Sequence, residues 1–313
     1  MVFYIIAAIL LLAFLTVAVC FLLVFYSPTR KKLGPDEYGI PKGKIYEEFS
    51  EDIIRWTKDI RNMPREMMSI TSRDGLTLRG MYYEYEKGAP IEILFHGYRG
   101  YSERDLCGGV HRCFHLKRNA LIVDHRASGI SDGHIITFGI KERFDCIDWV
   151  NFAIDRFGKD TKIMITGISM GAATVMMALN EPLPENVVCA LADCGYTSPK
   201  EIITKVLRDL HLPPCIFYPI IKLGAKIFGR FNLEEASAIQ GVKSSSLPIF
   251  FVHGDEDSFV PCYMSERLYE ASSSEHKRLV IVKGAGHGLA FPKDPDCYYA
   301  ALSEFEEECQ CFK

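Results

Sequence analysis

The stretch Gly167-Ile168-Ser169-Met170-Gly171 narrows the choice of fold more than any other part of this chain. It follows the apolar run Ile163-Met164-Ile165 and precedes a small-residue, apolar stretch from Ala172 to Leu179. The first run reads as a buried strand and the second as a helix. A turn that joins the two directly is so sharp that bulky neighbours would clash, and glycine on both sides relieves the crowding. Ser169 is then held above the end of a sheet, with the partial positive charge of a helix N-terminus behind it.

The rest of the chain supplies such a sheet. Ile91–Phe95, Ala120–Val123, Lys162–Ile165, Val187–Leu191, Leu247–Val252 and Arg278–Val282 read as strands. Glu103–Leu116, Lys141–Phe157, Gly171–Leu179, Tyr263–Ala271 and Tyr298–Glu308 read as helices between and after them. Alternation of this kind predicts an α/β fold, a mostly parallel sheet with helices on both faces. Ahead of it, Glu47–Asp59 has the spacing of a short amphipathic helix. Glu66–Thr71 and Leu76–Tyr85 then flank the turn Ser72-Arg73-Asp74-Gly75, a hairpin signal that adds antiparallel strands at one edge. One interval breaks the rhythm. Between Cys194 and Leu247 the pattern is helical at Pro199–Leu210, Leu212–Phe228 and Leu233–Ile239, which predicts a small helical cap over about 197–246. Its apolar middle, Cys215–Ile221, is too short and too interrupted by Pro213, Pro214, Pro219, Lys222 and Lys226 to be a membrane span.

Residues 1–26 carry no charge and are mostly Leu, Ile, Val, Phe and Ala. About 20 such residues cross a bilayer as a helix. A cleaved signal peptide would have a basic start and a shorter apolar core, and a lipoprotein signal would have a small residue where Val19 precedes Cys20. The run is therefore expected to be an uncleaved, single-pass membrane anchor. Arg30, Lys31 and Lys32 follow it and nothing basic precedes it, so the part of the chain beyond the anchor is expected in the cytoplasm. Ten scattered cysteines beyond the anchor agree with a reducing compartment, although an even number also permits pairing. Residues 27–46, rich in Gly, Pro and charge, read as a tether, and 47–313 as the main domain. Hydrophobic residues make up 48% of the chain, enough for one large core. A net charge of -4 with no basic stripe argues against nucleic acid as a partner, and none is expected.

A serine hydroxyl needs a positioned base, and the base needs a group that holds its tautomer. Of nine histidines, His287 sits in the glycine-rich loop Gly284-Ala285-Gly286-His287-Gly288 just after a late strand. The acid is expected after Leu247–Val252, where the chain reads His253-Gly254-Asp255-Glu256-Asp257. Asp257 is favoured because it stands at the loop apex shortly before Pro261, which is expected to start the next helix; Asp255 is the reserve. The order Ser, Asp, His completes the pattern. An oxyanion needs two backbone donors. The amide of Met170, directly after the serine, is one, and the amide of Tyr98, in His96-Gly97-Tyr98-Arg99-Gly100, is the best candidate for the other. His111 and His115 stand four apart on a helix, but they lack a third ligand. Cys309 and Cys311 alone cannot complete a zinc site, so no metal is expected.

Together these stretches resemble the α/β-hydrolase superfamily, in particular membrane-anchored bacterial serine hydrolases of the serine aminopeptidase-like and esterase-like branch. The resemblance rests on His96-Gly97, Asp124-His125-Arg126-Ala127-Ser128-Gly129-Ile130-Ser131, the Ser169 turn, His253 to Asp257 and Gly286-His287, and it spans about residues 66 to 308. Ala127 and Ser128 depart from the usual residues of the second stretch. The resemblance implies a Ser–His–Asp hydrolase without a cofactor. The apolar segment Leu212–Phe228 is expected to roof the pocket, favouring a hydrophobic or lipid-like carboxylic ester as substrate. A peptidase or amidase, and a non-catalytic binding scaffold, are the rival expectations.

Overall fold

The computed structural model describes residues 1–28, 37–40 and 43–312. Arg30, Lys31 and Lys32, on which the expected sidedness rests, lie outside the described residues, as do Gly34, Pro35 and Pro41 of the expected tether.

Eight strands form one sheet: β1 (Glu66–Thr71), β2 (Thr77–Tyr83), β3 (Ile91–Phe95), β4 (Asn119–Val123), β5 (Ile163–Ile168), β6 (Val187–Asp193), β7 (Ile249–Gly254) and β8 (Lys277–Val282). Their spatial order is β1-β2-β4-β3-β5-β6-β7-β8. The leading hairpin supplies the antiparallel pairs β1–β2 and β2–β4, and every later pairing is parallel. All residues of β3 and β4 are buried, as expected of strands covered on both faces. Chain order reverses direction around β3, so the loops leaving β3 and β5 meet at a switch point at the carboxyl ends of the strands. Register fixes the meeting: Phe95 stands beside Gly167, Ile168 beside Asp193, and Asp193 beside Val252.

Thirteen α-helices are described. α1 (Val2–Phe25), α2 (Lys44–Glu47) and α3 (Ser50–Asn62) precede the sheet. α4 (Ser102–Asp105), α5 (Cys107–His115), α6 (Glu142–Phe157) and α7 (Met170–Ala178) connect its first half. α8 (Pro199–Asp209), α9 (Pro214–Gly224) and α10 (Ala238–Ser244) form the insertion. α11 (Tyr263–Ala271), α12 (Ala290–Lys293) and α13 (Pro295–Cys309) complete the chain. α3, α5 and α13 cover one face of the sheet, while α6, α7 and the insertion pack on the other. The acids and the arginine beside the loops act as ties. Asp124 accepts from the amides of Ser102 and Ile130, and Arg126 binds Asp74 and Asp145. Glu142 accepts from the amides of Thr137 and Gly139.

Several expectations are corrected. The helix expected over Glu103–Leu116 is two helices, broken at Leu106, where φ is -115° and ψ is 4°. The third insertion helix lies at Ala238–Ser244 rather than Leu233–Ile239, because Ser237 caps it by accepting from the Gln240 amide. Leu212–Phe228 is α9 followed by a single wide π turn over Ala225–Gly229. Pro261 does not open α11, which begins at Tyr263 after Cys262. All eleven cysteines are free thiols.

α1 is long and apolar enough to cross a membrane. Its residues 1–15 are exposed, but its second half is part of the fold. Phe25 is fully buried and meets Phe138 and Phe231 at ring distances of 5.7 and 5.3 Å. Beyond the helix, the Ser27 amide donates to the His134 carbonyl, and the Ile136 amide donates to that of Phe25. Farther along, Arg61 donates to the Glu37 carbonyl and Tyr101 to that of Tyr38.

Candidate active site

The turn after β5 has no room for side chains on its glycines. A Cβ on Gly167 would stand 2.1 Å from the carbonyl carbon of Gly171, and one on Gly171 would stand 2.1 Å from the Phe95 oxygen. Between them Ser169 adopts φ 56° and ψ -113°, a conformation that L-residues reach at a cost of about 1–3 kcal/mol. The strain is held by the Ser169 amide donating to Asp193 O at 2.8 Å and by the Ser169 carbonyl accepting from Ala173 at 3.0 Å.

Ser169 Oγ lies 2.9 Å from His287 Nε2, and His287 Nδ1 lies 2.7 Å from Asp257 Oδ2. An ionised carboxylate only accepts, so the proton sits on Nδ1 and Nε2 is free to accept from the serine hydroxyl. The loop after β7 separates the two candidate acids. Asp255 Oδ1 takes the Gly284 amide at 2.6 Å and so pins the histidine loop. Asp257, 6% exposed, meets the imidazole. Its Oδ1 accepts from the amides of Phe259 and Val260 at 2.9 and 2.8 Å. Burial pushes its pKa up, but hydrogen bonds from His253 and His287 outweigh that and hold it well below the usual carboxylate range.

Sequence reasoning gives His253 no role in the site. It is fully buried at the end of β7, with Nε2 2.8 Å from Val260 O and 3.2 Å from Asp257 Oδ2. Facing two acceptors, Nε2 carries the proton, and Nδ1 accepts from the Ser265 hydroxyl at 2.6 Å. The available signal was its place: an imidazole ending a fully apolar strand, four residues before the acid. Tyr46 was missed as well. Its hydroxyl donates to the His287 carbonyl at 3.3 Å, and burial first among several causes pushes its pKa up to about 12.

The loop after β3 passes beside the serine: a Cβ on Gly97 would stand 3.6 Å from Ser169 Cβ. His96, also buried, donates from Nδ1 to Gly97 O and accepts at Nε2 from the His125 amide. Tyr98 lines the cavity and turns its hydroxyl away from it, donating to Val24 O of α1 at 2.7 Å. Arg99 donates to Leu23 O and Tyr26 O at 2.8 and 3.0 Å. These carbonyls belong to the end of α1, where intrahelical partners run out. Met170 is fully buried at the first position of α7 and is not among the residues lining the cavity.

Ser169 and His287 open into a cavity of about 480 Å³. Ile53, Trp56, Phe259, Leu289 and Phe291 make most of its character apolar, and Arg112 and Asp193 also reach it. No residue of the insertion lines it, which corrects the expected roof. One side of the insertion's apolar surface packs on α1, whereas α2, α3 and the loops after β7 and β8 wall the cavity. The histidine pair on α5 separates: His111 lies 3.6 Å from Asp59, and His115 stacks on Tyr299. Among the described residues, Cys194, Asp257 and His287 alone gather three possible metal-ligand atoms. Two of them already share a proton at 2.7 Å, and burial first, then Asp193 and Asp257, raises the Cys194 thiol well above its ordinary value.

The sheet, the strained serine turn and the placement of the loops define an α/β-hydrolase. The chain belongs to the prolyl oligopeptidase family, whose profile matches residues 138–310. It is 26% identical over 270 residues to the uncharacterized protein YqkD of Bacillus subtilis, covering 83% of this chain and 88% of that one. It is also 26% identical over 254 residues to protein bem46 of Schizosaccharomyces pombe, covering 79% and 78%. Among solved structures, the Pyrococcus furiosus esterase PF2001 superposes with a TM-score of 0.67 at 20% identity, over 90% of this chain and 98% of that one. Est1E of Butyrivibrio proteoclasticus, solved with ferulic acid, superposes with 0.58 at 20% identity, over 77% and 98%.

Proposed function

We propose that the chain is a membrane-anchored serine hydrolase of carboxylic esters, with Ser169 as nucleophile, His287 as base and Asp257 as the acid that orients it. The observation that carries this reading is the continuous line from Ser169 Oγ through His287 to Asp257, at 2.9 and 2.7 Å. His287 takes the hydroxyl proton as Ser169 Oγ attacks the ester carbonyl. Asp257 stabilises the imidazolium that results, while the amides of Tyr98 and Met170 receive the oxyanion. The alcohol leaves with the proton from His287. A water, deprotonated by the same imidazole, then releases the acid and restores Ser169.

The apolar walls of the cavity support a hydrophobic acyl group, including a lipid-derived one. Residues 1–26 would hold the enzyme in the membrane, with Arg30, Lys31 and Lys32 keeping the catalytic domain on the cytoplasmic side. Labelling of the full chain by a fluorophosphonate, lost in Ser169→Ala, tests the nucleophile; equal labelling of the variant refutes it. Faster turnover of acetyl than of octanoyl p-nitrophenyl esters would count against the hydrophobic acyl group. Membership of a family named for peptidases favours amide cleavage as a second reading. Comparing kcat/KM on aryl esters and on aminoacyl amides decides between the two.

A further inference from the structure

The anchor and the domain overlap along the helix axis. At ~1.5 Å per residue, all of α1 is about 36 Å long, and the segment Val2–Ala13 that stands clear of the domain is about 18 Å. A hydrocarbon core is about 30 Å thick. The free half of the helix therefore falls short of spanning by about 12 Å. The remainder of a span must come from the half that α9 and the π turn embrace. Phe228 meets Phe14 and Phe21 at ring distances of 5.6 and 5.4 Å. Gly224 lies so close that a Cβ there would stand 3.0 Å from Phe21 Cβ and 3.2 Å from Val17 O. Close approach of backbones at a small residue is the way helices associate in lipid.

The outer side of the same element is apolar and uncovered. Ile216, Leu223 and Ile227 are 56%, 46% and 50% exposed, and Pro219 lies on the same helical stripe. Lys226 and Arg230, both exposed, have stems long enough to bring their charges up to headgroups from such a position. Tyr26 and Arg99, at the end of α1, suit the headgroup level itself.

We propose that α9 and the π turn are an intramembrane element: they sink beside α1 into the near leaflet and present Ile216, Leu223 and Ile227 to acyl chains. The insertion is then a wedge that sets how deep the hydrolase sits, rather than a lid over its cavity. The inference rests on the anchor reading of residues 1–26, and the test separates the two.

The full chain is placed in phosphatidylcholine nanodiscs whose acyl chains carry bromine, a contact quencher of tryptophan, with unbrominated discs as reference. Leu10→Trp reports the anchor, Leu223→Trp and Ile227→Trp report the insertion, and Ile281→Trp on the outer strand β8 reports the free surface. Wild-type emission is subtracted as background. The expected result is loss of emission at 223 and 227 matching that at 10, with none at 281. Quenching at 10 without quenching at 223 and 227 overturns this inference and leaves the anchor. No quenching at 10 overturns the anchor and the inference together. The wild-type chain supplies a second measurement that needs no substitution. Cys215 on α9 and Cys297 on α13 are both exposed. In the same discs a charged maleimide should modify Cys297 and spare Cys215; equal modification of the two refutes the wedge.

Discussion

Replacing Asp257 by asparagine should disable the site through a tautomer rather than through a lost contact. Oδ1 faces two amide donors, from Phe259 and Val260, at 2.9 and 2.8 Å. In Asp257→Asn the carbonyl oxygen must take that position, because an NH2 group there would face two N–H groups. The NH2 is then turned toward His287 Nδ1 and toward the protonated Nε2 of His253. Faced with a donor, Nδ1 becomes an acceptor and the imidazole proton moves to Nε2. That nitrogen can no longer accept from Ser169. A wrong tautomer of this kind costs about 10⁴ in rate, which is about 5–6 kcal/mol of transition-state stabilisation. The introduced amide and His253 then oppose N–H to N–H, which adds an unsatisfied buried donor worth about 1–3 kcal/mol of fold stability. The assay is kcat/KM on an aryl ester together with the rate of fluorophosphonate labelling, on protein whose melting confirms that it is folded. Asp255→Asn is the control: an amide oxygen can still accept from Gly284, so its rate should stay within about tenfold of wild type. A folded Asp257→Asn that keeps activity within tenfold, or an Asp255→Asn that loses more than Asp257→Asn, refutes the reasoning.

Gly171→Ala should destabilise the fold by about 3 kcal/mol or more, since its Cβ meets the Phe95 backbone and neither strand nor helix can yield locally; denaturant unfolding measures it. Ser169→Gly should melt higher than Ser169→Ala, by about 1 kcal/mol, because only glycine adopts φ 56° without strain, and a lower melting point for the glycine variant contradicts the strain. Glu306 gives a pH dependence. Burial, over the opposing pull of Arg118, raises its pKa from 4.5 to about 7. Between those values the native state binds the proton more tightly than the unfolded chain does. This group's contribution therefore falls as pH rises through that window, by up to about 3 kcal/mol. The stability of Glu306→Gln relative to wild type should accordingly improve from pH 4.5 to pH 8, and a flat difference refutes the assignment.

Much of this architecture was legible because its signals are local. Ile91–Phe95 and Val187–Leu191 are apolar runs of strand length, and the serine turn carries glycine where backbones touch. Their order along the chain is enough to imply a parallel sheet and the edge where its loops gather. Loop position points to Asp257 ahead of Asp255, and the two carboxylates take different partners, His287 for Asp257 and the Gly284 amide for Asp255. Tyr46 carries no sequence signal, since it acts through a fold-dependent contact with a residue distant in sequence, and His253 offers only its place at the end of an apolar strand, four residues before the acid it meets. The misplaced roof has a similar origin. An apolar helix announces an apolar partner, but not which one, and here the partner on its inner side is the chain's own first helix. Leu106 and Ser237 show the usual limit at element ends, where one backbone angle or one cap decides the boundary.

The burial of Phe25, and the grip of Tyr98 and Arg99 on the last carbonyls of α1, bear on how the enzyme is handled. Trimming the chain before residue 27, or before residue 47, to obtain a readily soluble version would strip a plug from between Phe138 and Phe231 and free the loop that carries a proposed oxyanion donor. Poor turnover by such a shortened preparation would report a damaged catalyst, not an idle one.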